Sequence, residues 1–224
     1  MNIKNVFIIL GEPNSTFLEI LFKYFSSQMF KKNKKKIILI GNKRLLQVHM
    51  NFFEYSFKIN EIFDLKDAKI KLINIINVDY KFKSGFGKIT PASNNYIEKS
   101  FNTGINLVMK KSSNALINGP ISKENFLKKK FPGITEYVGN KTNSENPVML
   151  IYNEKIAVSP ITTHVPIKKV AQFIKKNTII ENILKINDFY RKKLKKIPKF
   201  AVLGLNPHCE TTDKISEEKN EILP

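Results

Sequence analysis

Two histidines stand where ligand-binding chemistry is expected. His164 ends Thr162-Thr163-His164 and His208 ends Gly204-Leu205-Asn206-Pro207-His208; each follows an apolar, strand-like segment and lies within two residues of a proline. Imidazoles at neighbouring strand ends suit a divalent ion. A stable site needs at least a third protein ligand, so spacing alone leaves a second reading open, in which each is a hydrogen-bonded structural histidine. Ser122 and Lys123 follow Gly119-Pro120 at a helix start, where amides and an ammonium suit a phosphate; the plain alternative is a serine cap beside an exposed lysine. Gly133-Ile134-Thr135-Glu136 either caps the next helix through Thr135 or presents a hydroxyl and a carboxylate to a ligand. Glu12 and Glu136 are acid–base types that nothing in the sequence joins. Cys209 beside His208 is a poor catalytic dyad, because adjacent residues on an extended chain point to opposite sides. His49 falls in a surface helix and reads as solvated.

The elements that must position these groups alternate. Ile3–Leu10 reads as a buried strand, and Ser15 caps a helix to about Met29. Lys36–Ile40 is a second strand with a helix from Lys43, and Lys71–Ile76 a third apolar run. Pro91 to Lys111 has helical spacing, with Tyr96, Phe101, Ile105 and Val108 on one face. Ala115–Asn118 is a short strand, and Ser122 caps the helix after it. Val148–Tyr152 and Ile156–Ser159 read as a hairpin about Asn153-Glu154. Pro166 opens a helix, Thr178 to Lys195 is helical, Lys199–Leu203 is a strand, and Ser216–Leu223 begins a helix with Glu217, Glu218 and Glu221 near its start. Strands alternating with helices predict an α/β fold with a largely parallel or mixed sheet. Neither Gly-x-Gly-x-x-Gly nor a Walker A loop follows the first strand, and Ser84-Gly85-Phe86-Gly87 reads as a flexible loop.

Composition narrows the function classes. The 224 residues carry 38 Lys+Arg against 19 Asp+Glu, a formal charge of +19. That balance invites nucleic acid. Only Arg44 and Arg191 are arginines, however, and arginine is the usual bidentate reader of phosphate and base. Abundant lysine, isoleucine and 25 asparagines fit a codon bias toward A and T. The expected partners therefore exclude nucleic acid. No apolar stretch approaches the ~18 residues of a membrane span, which excludes a membrane as well. Cys209 is the one cysteine, so no intrachain disulfide forms and a reducing cytoplasm is expected.

The segments Ala115-Leu-Ile-Asn-Gly-Pro-Ile-Ser-Lys123, Phe131-Pro-Gly-Ile-Thr-Glu136, Val158 through Thr162-Thr-His164-Val-Pro166, and Leu203-Gly-Leu-Asn-Pro-His208 stand in register with the 4-hydroxythreonine-4-phosphate dehydrogenase family of vitamin B6 (pyridoxine) biosynthesis. With Gly11-Glu12-Pro13, the chain resembles that family over essentially its whole length. The resemblance implies a two-lobed α/β/α architecture like that of isocitrate- and isopropylmalate-type dehydrogenases. It divides the chain at about 1–130 and 131–224 and places it as the front portion of a longer enzyme. It implies an NAD-dependent (or NADP-dependent) oxidoreductase that converts 4-phosphooxy-L-threonine to 2-amino-3-oxo-4-phosphooxybutanoate. That product decarboxylates to 3-amino-2-oxopropyl phosphate. A divalent metal (Zn, Mg or Co) is bound in a homodimer whose metal site is shared across the interface. On this pattern His164 and His208 match metal ligands, Thr135 matches a substrate-contacting threonine, and Lys123 is a further candidate for the substrate phosphate. No residue is assigned as catalytic acid or base, or as a cofactor contact. The family's histidine before the threonine is Ile134 here, its Gly-rich acidic loop is replaced by Cys209–Asp213, and its third metal histidine aligns beyond residue 224. The alternative is a non-catalytic relative or inactive fragment acting as a binding subunit.

Overall fold

Five short runs rich in isoleucine pair as a parallel sheet in the computed structural model, which describes residues 3–110, 114–128, 130–144, 146–206, 208 and 216–224. They are β1 (Asn5–Ile9), β2 (Lys36–Gly41), β3 (Ile59–Glu61), β4 (Ile73–Asn77) and β5 (Asn114–Asn118), in spatial order β3-β4-β2-β1-β5. At the centre, Phe7 stands opposite Ile38 on one side and Leu116 on the other. The apolar runs are continuous rather than alternating because both sheet faces are covered. Ile8, Leu10, Ile37, Leu39 and Ile75 meet Leu18, Phe22 and Phe25 of α1 (Phe17–Ser26), Phe30 of α2 (Gln28–Lys32), and Leu46 and Met50 of α3 (Lys43–Phe52). On the opposite face, Phe7, Ile9, Ile38 and Ile40 meet Tyr96, Ile97, Phe101 and Ile105 of α4 (Asn94–Met109). Each such side chain contributes about 1.5–3 kcal/mol on burial, so these two layers outweigh any single polar contact of the fold.

The expected α/β class is observed, with local corrections. The helix expected to run to Met29 breaks at Ser27, whose hydroxyl accepts from Phe30 N–H at 3.3 Å and starts α2. Thr16, not Ser15, occupies the cap position of α1, without a side-chain cap bond. Val108 is only partly buried, unlike Tyr96, Phe101 and Ile105. The Ser122 helix is a five-residue wide turn (Lys123–Leu127), closed by Lys128 N–H on Lys123 O at 3.2 Å, five residues back.

Backbone contacts divide the chain into Asn2–Ser144, which holds the sheet, and Glu145–Pro224. In the second unit the expected hairpin is a single antiparallel bridge, Ile151 with Val158, about a turn in which Asn153 Oδ1 accepts from Lys155 N–H. The helices α6 (Ile167–Phe173) and α7 (Lys176–Phe189) follow, and Pro166 is the cap of α6 rather than its first residue. Lys199–Leu203 is not a strand: among the described residues no neighbour pairs with it, and Leu203 is 82% exposed. The C-terminal helical turn is Glu218–Ile222. No helix among the described residues is long and apolar enough to cross a membrane.

His49 is a further correction: it is 3% exposed, not solvated. Its Nε2 lies 2.6 Å from Gly85 O, and the Phe86 ring packs against it at a tilt of 32°, centroids 4.3 Å apart. The loop between β4 and α4, expected to be flexible, is thus clasped to α3. A carbonyl only accepts, so Nε2 carries the proton. Burial lowers the His49 pKa below its ordinary 6.5, partly offset by the Gly85 bond.

Two outcomes follow. The unfolded chain takes up the His49 proton first as pH falls, so the stability owed to neutral His49 is intact above about pH 6.5 and is lost as pH drops toward the lowered folded value. Urea unfolding at pH 7.5 and 5.5 is expected to show a larger loss in the wild type than in His49→Gln; equal losses would refute the burial. A Cβ on Gly119 would collide with the Leu10 carbonyl and stand 2.6 Å from the Phe17 ring. Gly119→Ala is therefore expected to cost about 1–3 kcal/mol by overpacking. Gly87→Ala, whose nearest neighbour would be 3.5 Å away, stays within about 0.5 kcal/mol in the same titration.

Candidate functional site

The strand order reverses at β1, with β2 on one side and β5 on the other. Open α/β sheets bind ligands outside the carboxyl ends of the strands at such a point. Here the two emerging turns are Gly11-Glu12-Pro13 and Gly119-Pro120. Glu12 N–H donates to Pro120 O at 2.8 Å, and Gly119 N–H donates to Ile9 O at 2.7 Å. Gly11 sits at φ 71°, in the left-handed region, and a side chain there would strike the Pro120 carbonyl.

Glu12, a candidate acid–base group, is 3% exposed and already engaged. Its Oε1 accepts from Asn14 N–H at 3.3 Å. Ser93 Oγ, at the start of α4, lies 3.0 Å from Glu12 Oε2 and 3.1 Å from Thr90 O, and shares one proton between them. The carboxylate joins the end of β1 to the start of α4, which is a structural clamp rather than a free base. Tyr80 and Tyr96 stack beside it at 4.8 Å. Burial pushes both phenols up, and the Glu12 charge adds to the shift.

Lys123 is exposed at the start of the turn after β5. Ser122 Oγ fixes that turn by accepting from Asn125 N–H at 3.1 Å and from Asn125 Nδ2 at 3.0 Å. Asn94, the first residue of α4, donates through Nδ2 to Asn125 O at 2.8 Å. Five residues make no amide nest for an anion, so a phosphate role for Lys123 rests on its charge. Thr135 is half-buried on the first turn of α5 (Ile134–Lys141). It does not cap that helix: Gly133 holds the cap position without a side-chain bond. Tyr137 packs its ring at 5.2 Å from Phe126, 5.4 Å from Phe101 and 5.5 Å from Phe131, which draws the Lys123 turn and the Thr135 helix onto one aromatic cluster. Burial, helped by the Glu98 charge, pushes the Tyr137 phenol up to about 12.

Asn94 Oδ1, Glu136 Oε2 and Tyr137 Oη are buried without a protein partner. All three belong to the elements that carry or anchor Lys123 and Thr135. Buried polar atoms are normally bonded, so water or a ligand's donors complete them. Nothing in the sequence reading pointed to Asn94 or Tyr137 as polar groups of the site. Glu12 and Glu136 have no hydrogen-bond partner in common among the described residues.

His164 and His208 belong to the second unit, and both imidazoles are exposed. His164 sits at φ 55°, unusual for a residue with a side chain and of the kind that gathers at functional loops. His208 N–H donates to Asn206 Oδ1 at 3.0 Å. Asn206 Nδ2 in turn donates to Glu218 Oε1 at 2.9 Å, and the same oxygen takes Leu205 N–H at 3.2 Å. The buried Glu218 therefore holds the turn that presents His208. The sequence reading saw Glu218 only as an acid at a helix start; its distance of ten residues from His208 hides the link. Among the described residues no three His, Cys, Asp or Glu side chains gather as a metal site, so these two imidazoles do not by themselves make a closed one. Cys209 lies outside the described residues.

The Glu12 clamp has a specific signature. Glu12→Ala leaves the half-buried Asn14 N–H without its acceptor and opens a cavity where the buried carboxylate stood, and is expected to cost about 2–4 kcal/mol. Glu12→Gln keeps a carbonyl for Asn14, while Ser93 turns its proton to Thr90 and accepts the new amide, so the cost stays near 1 kcal/mol. Equal losses for the two variants in urea titrations would show that charge, not hydrogen bonding, holds the turn.

Comparison with known proteins agrees with this architecture. Residues 33–224 match the family described as Pyridoxal phosphate biosynthetic protein PdxA. A 4-hydroxythreonine-4-phosphate dehydrogenase of Sulfurihydrogenibium sp. is 33% identical over 224 residues, covering 97% of this chain and 68% of that protein. The Aquifex aeolicus protein of the same name is 29% identical, covering 99% of this chain and 69% of its own length. A protein of Oceanobacillus iheyensis provisionally named D-threonate 4-phosphate dehydrogenase is 25% identical, with 97% and 68% coverage. The crystal structure of a 4-hydroxythreonine-4-phosphate dehydrogenase from Burkholderia phymatum superposes with a TM-score of 0.83 at 20% identity, over 99% of this chain and 69% of that one, which shows the fold. The chain belongs to the family of pyridoxal phosphate biosynthetic protein PdxA, and the relatives named above are dehydrogenases.

Proposed function

We propose that the chain takes part in the NAD-dependent oxidation of 4-phosphooxy-L-threonine. The secondary alcohol loses hydride to the nicotinamide ring and its hydroxyl proton to solvent, giving 2-amino-3-oxo-4-phosphooxybutanoate. The bond to the carboxylate then breaks, carbon dioxide leaves its electron pair with the ketone as an enolate, and that carbon takes a proton from solvent to give 3-amino-2-oxopropyl phosphate. The observation that carries this reading is the family match over residues 33–224, together with retained His164, His208, Thr135 and Lys123.

NAD, or NADP, would supply the hydride acceptor when bound. His164 and His208 are the imidazoles this chain offers a divalent ion such as Zn, Mg or Co; its remaining ligands would come from elsewhere, as in a homodimer sharing the site. Lys123 would pair with the substrate phosphate as a point charge. The Thr135 hydroxyl would hold a polar group of the substrate. Where the family carries a histidine, Ile134 offers an apolar surface and one polar contact fewer. We place the protein in the cytoplasm.

A second substrate reading, D-threonate 4-phosphate, draws on the relatives of that name. It keeps the phosphate and the oxidisable alcohol but lacks the amino group.

The test is an assay of the full chain with NAD or NADP, each substrate, and Zn, Mg or Co, followed by reduced-nicotinamide absorbance. Turnover of 4-phosphooxy-L-threonine is expected, with Lys123→Ala raising KM at least tenfold and His164→Asn abolishing the metal response. Glu12→Gln keeps kcat within about threefold. Turnover of D-threonate 4-phosphate alone would move the assignment to that substrate. Binding of either substrate without any turnover would favour a non-catalytic binding subunit.

A further inference from the structure

In a parallel sheet all strands start at one end and finish at the other, so the two ends can be compared residue by residue. At the amino end, Lys4 precedes β1, Lys34 and Lys35 precede β2, Lys58 precedes β3, and Lys71 stands two residues before β4. All five are exposed. At the carboxyl end, the two residues after each strand are Leu10-Gly11, Asn42-Lys43, Ile62-Phe63, Val78-Asp79 and Gly119-Pro120. Lys43 is the single lysine among these, and Glu61 neutralises it at 2.7 Å. A codon bias toward A and T acts on both ends alike and does not produce this asymmetry. Among the described residues, none of the five lysines at the amino end is in an ion pair. The backbone that carries them is held in place. Asn33 Nδ2 donates to Lys35 O at 3.0 Å, and Asn33 Oδ1 accepts from Lys35 N–H at 3.2 Å. Lys36 N–H donates to Lys4 O at 3.0 Å. Before β4, buried Asn74 brackets Lys69: its Oδ1 accepts from Lys69 N–H and its Nδ2 donates to Lys69 O, both at 2.8 Å. The acids of that crossover are Asp64 and Asp67, and Asp64 already accepts from Lys66 N–H at 2.8 Å.

We propose that the amino end of the sheet binds the phosphate backbone of single-stranded nucleic acid without reading its sequence. The expectation against nucleic acid came from composition, which says nothing of where the lysines lie. The strand order sets Lys58, Lys71, Lys35 and Lys4 in a row along β3, β4, β2 and β1. Neighbouring strands are ~4.8 Å apart, so the row is about 15 Å long. One nucleic-acid strand carries a charge every ~3.4 Å, so the row faces about four phosphates. A flexible single strand follows a straight row, whereas each backbone of a duplex winds away from it. The one arginine of this unit, Arg44, lies at the other end of the sheet, over the Phe82 ring at 5.1 Å. Lysine point charges are what the amino end offers, and they hold phosphates rather than identify bases. A bilayer surface asks for a broad basic face with an apolar wedge. The loop before β4 offers Ile70, 48% exposed, as its most exposed apolar side chain. The fixed backbone leaves mainly side-chain entropy to be lost on binding. The surface lies at the end of the sheet opposite the candidate site and is independent of the dehydrogenase reading.

The test titrates the full chain into fluorescent oligouridylate of about 20 nucleotides, a mixed-sequence strand of equal length, and vesicles containing phosphatidylserine. Both oligonucleotides are expected to bind, with affinities within about threefold of each other. About four phosphate contacts on a single strand give a log–log salt slope near −3, so affinity falls about fiftyfold from 50 to 200 mM KCl. A triple variant, Lys4→Gln with Lys35→Gln and Lys71→Asn, is expected to flatten that slope by about 2 and to weaken binding about tenfold or more at 50 mM. Asparagine is used at 71 because that residue sits at φ 64°, which asparagine tolerates. The control triple, Lys81→Gln with Lys83→Gln and Lys88→Gln, removes the same charge from exposed lysines after the carboxyl end of β4. It is expected to bind within about twofold of the wild type. Should the first triple lose its cooperative unfolding transition, Lys35→Gln alone carries the comparison, with a slope flatter by about 0.7. Equal weakening by the two triples would show diffuse attraction to net charge and overturn the proposal. Binding to neither oligonucleotide overturns it too, whether or not the vesicles bind; vesicle binding alone would make the amino end a membrane-facing surface.

Discussion

The close approach of two chain turns, Gly11 against Pro120 and Gly119 against Leu10, is the constraint on which the sheet end depends. β1 and β5 are neighbours that are more than one hundred residues apart in sequence, and only bare glycine backbones let their turns cross at hydrogen-bonding distance. Everything placed at this end inherits its position from that crossing. The bond from Glu12 N–H to Pro120 O sets the carboxylate, the carboxylate sets Ser93, and Ser93 stands next to Asn94, which holds the Lys123 turn. Polar positioning is laid over two apolar layers that supply most of the stability. The site can therefore carry unsatisfied atoms such as Glu136 Oε2 without endangering the fold.

A second positioning device works in Glu145–Pro224 by different means. There, among the described residues, no sheet fixes the segment before His208. A single buried carboxylate, Glu218, collects Leu205 N–H and Asn206 Nδ2, and Asn206 passes the restraint to His208 through its other side-chain atom. A nearby carboxylate, Glu221, does parallel work: it accepts from Lys176 N–H at 2.8 Å and Lys175 Nζ at 3.0 Å at the start of α7. The Lys176 backbone bond and the Lys175 ammonium hold its pKa below the ordinary carboxylate value. In a chain with twice as many basic as acidic residues, several of the scarce carboxylates, Glu12, Asp64, Glu218 and Glu221 among them, accept from backbone N–H groups at turns and helix starts.

The α/β class and the sheet strands with long apolar runs were legible because parallel strands buried on both faces leave continuous hydrophobic runs. β3 was not, since Ile59–Glu61 has three residues, none fully buried, and owes its place partly to Asn60 Nδ2 on Asn74 Oδ1 at 2.9 Å. Lys199–Leu203 failed in the opposite sense. Its apolar residues match a strand, but strand formation needs a neighbour to take its backbone bonds, and a sequence pattern does not reveal whether one is present. His49 was misjudged because a polar residue on an amphipathic helix is normally solvated; its cover comes from Gly85 and Phe86, almost forty residues away. Of the site, the residues that bear chemistry were visible as types in motifs. Those that aim them, Ser93, Asn94 and Glu218, were not, because they act through contacts between distant elements.

The turn after β5 also bears on how the protein ages. Asn118-Gly119 is the dipeptide most prone to spontaneous deamidation, a reaction in which the glycine amide nitrogen attacks the asparagine side-chain carbon and closes a five-membered imide. Here that nitrogen is bound to Ile9 O, and Asn118 Nδ2 is turned toward Gly119 O at 3.1 Å. Closing the imide would require the β1–β5 crossing to open first. The folded chain thus shields this labile side-chain amide, and chemical damage at this position becomes a clock for the time the chain spends unfolded.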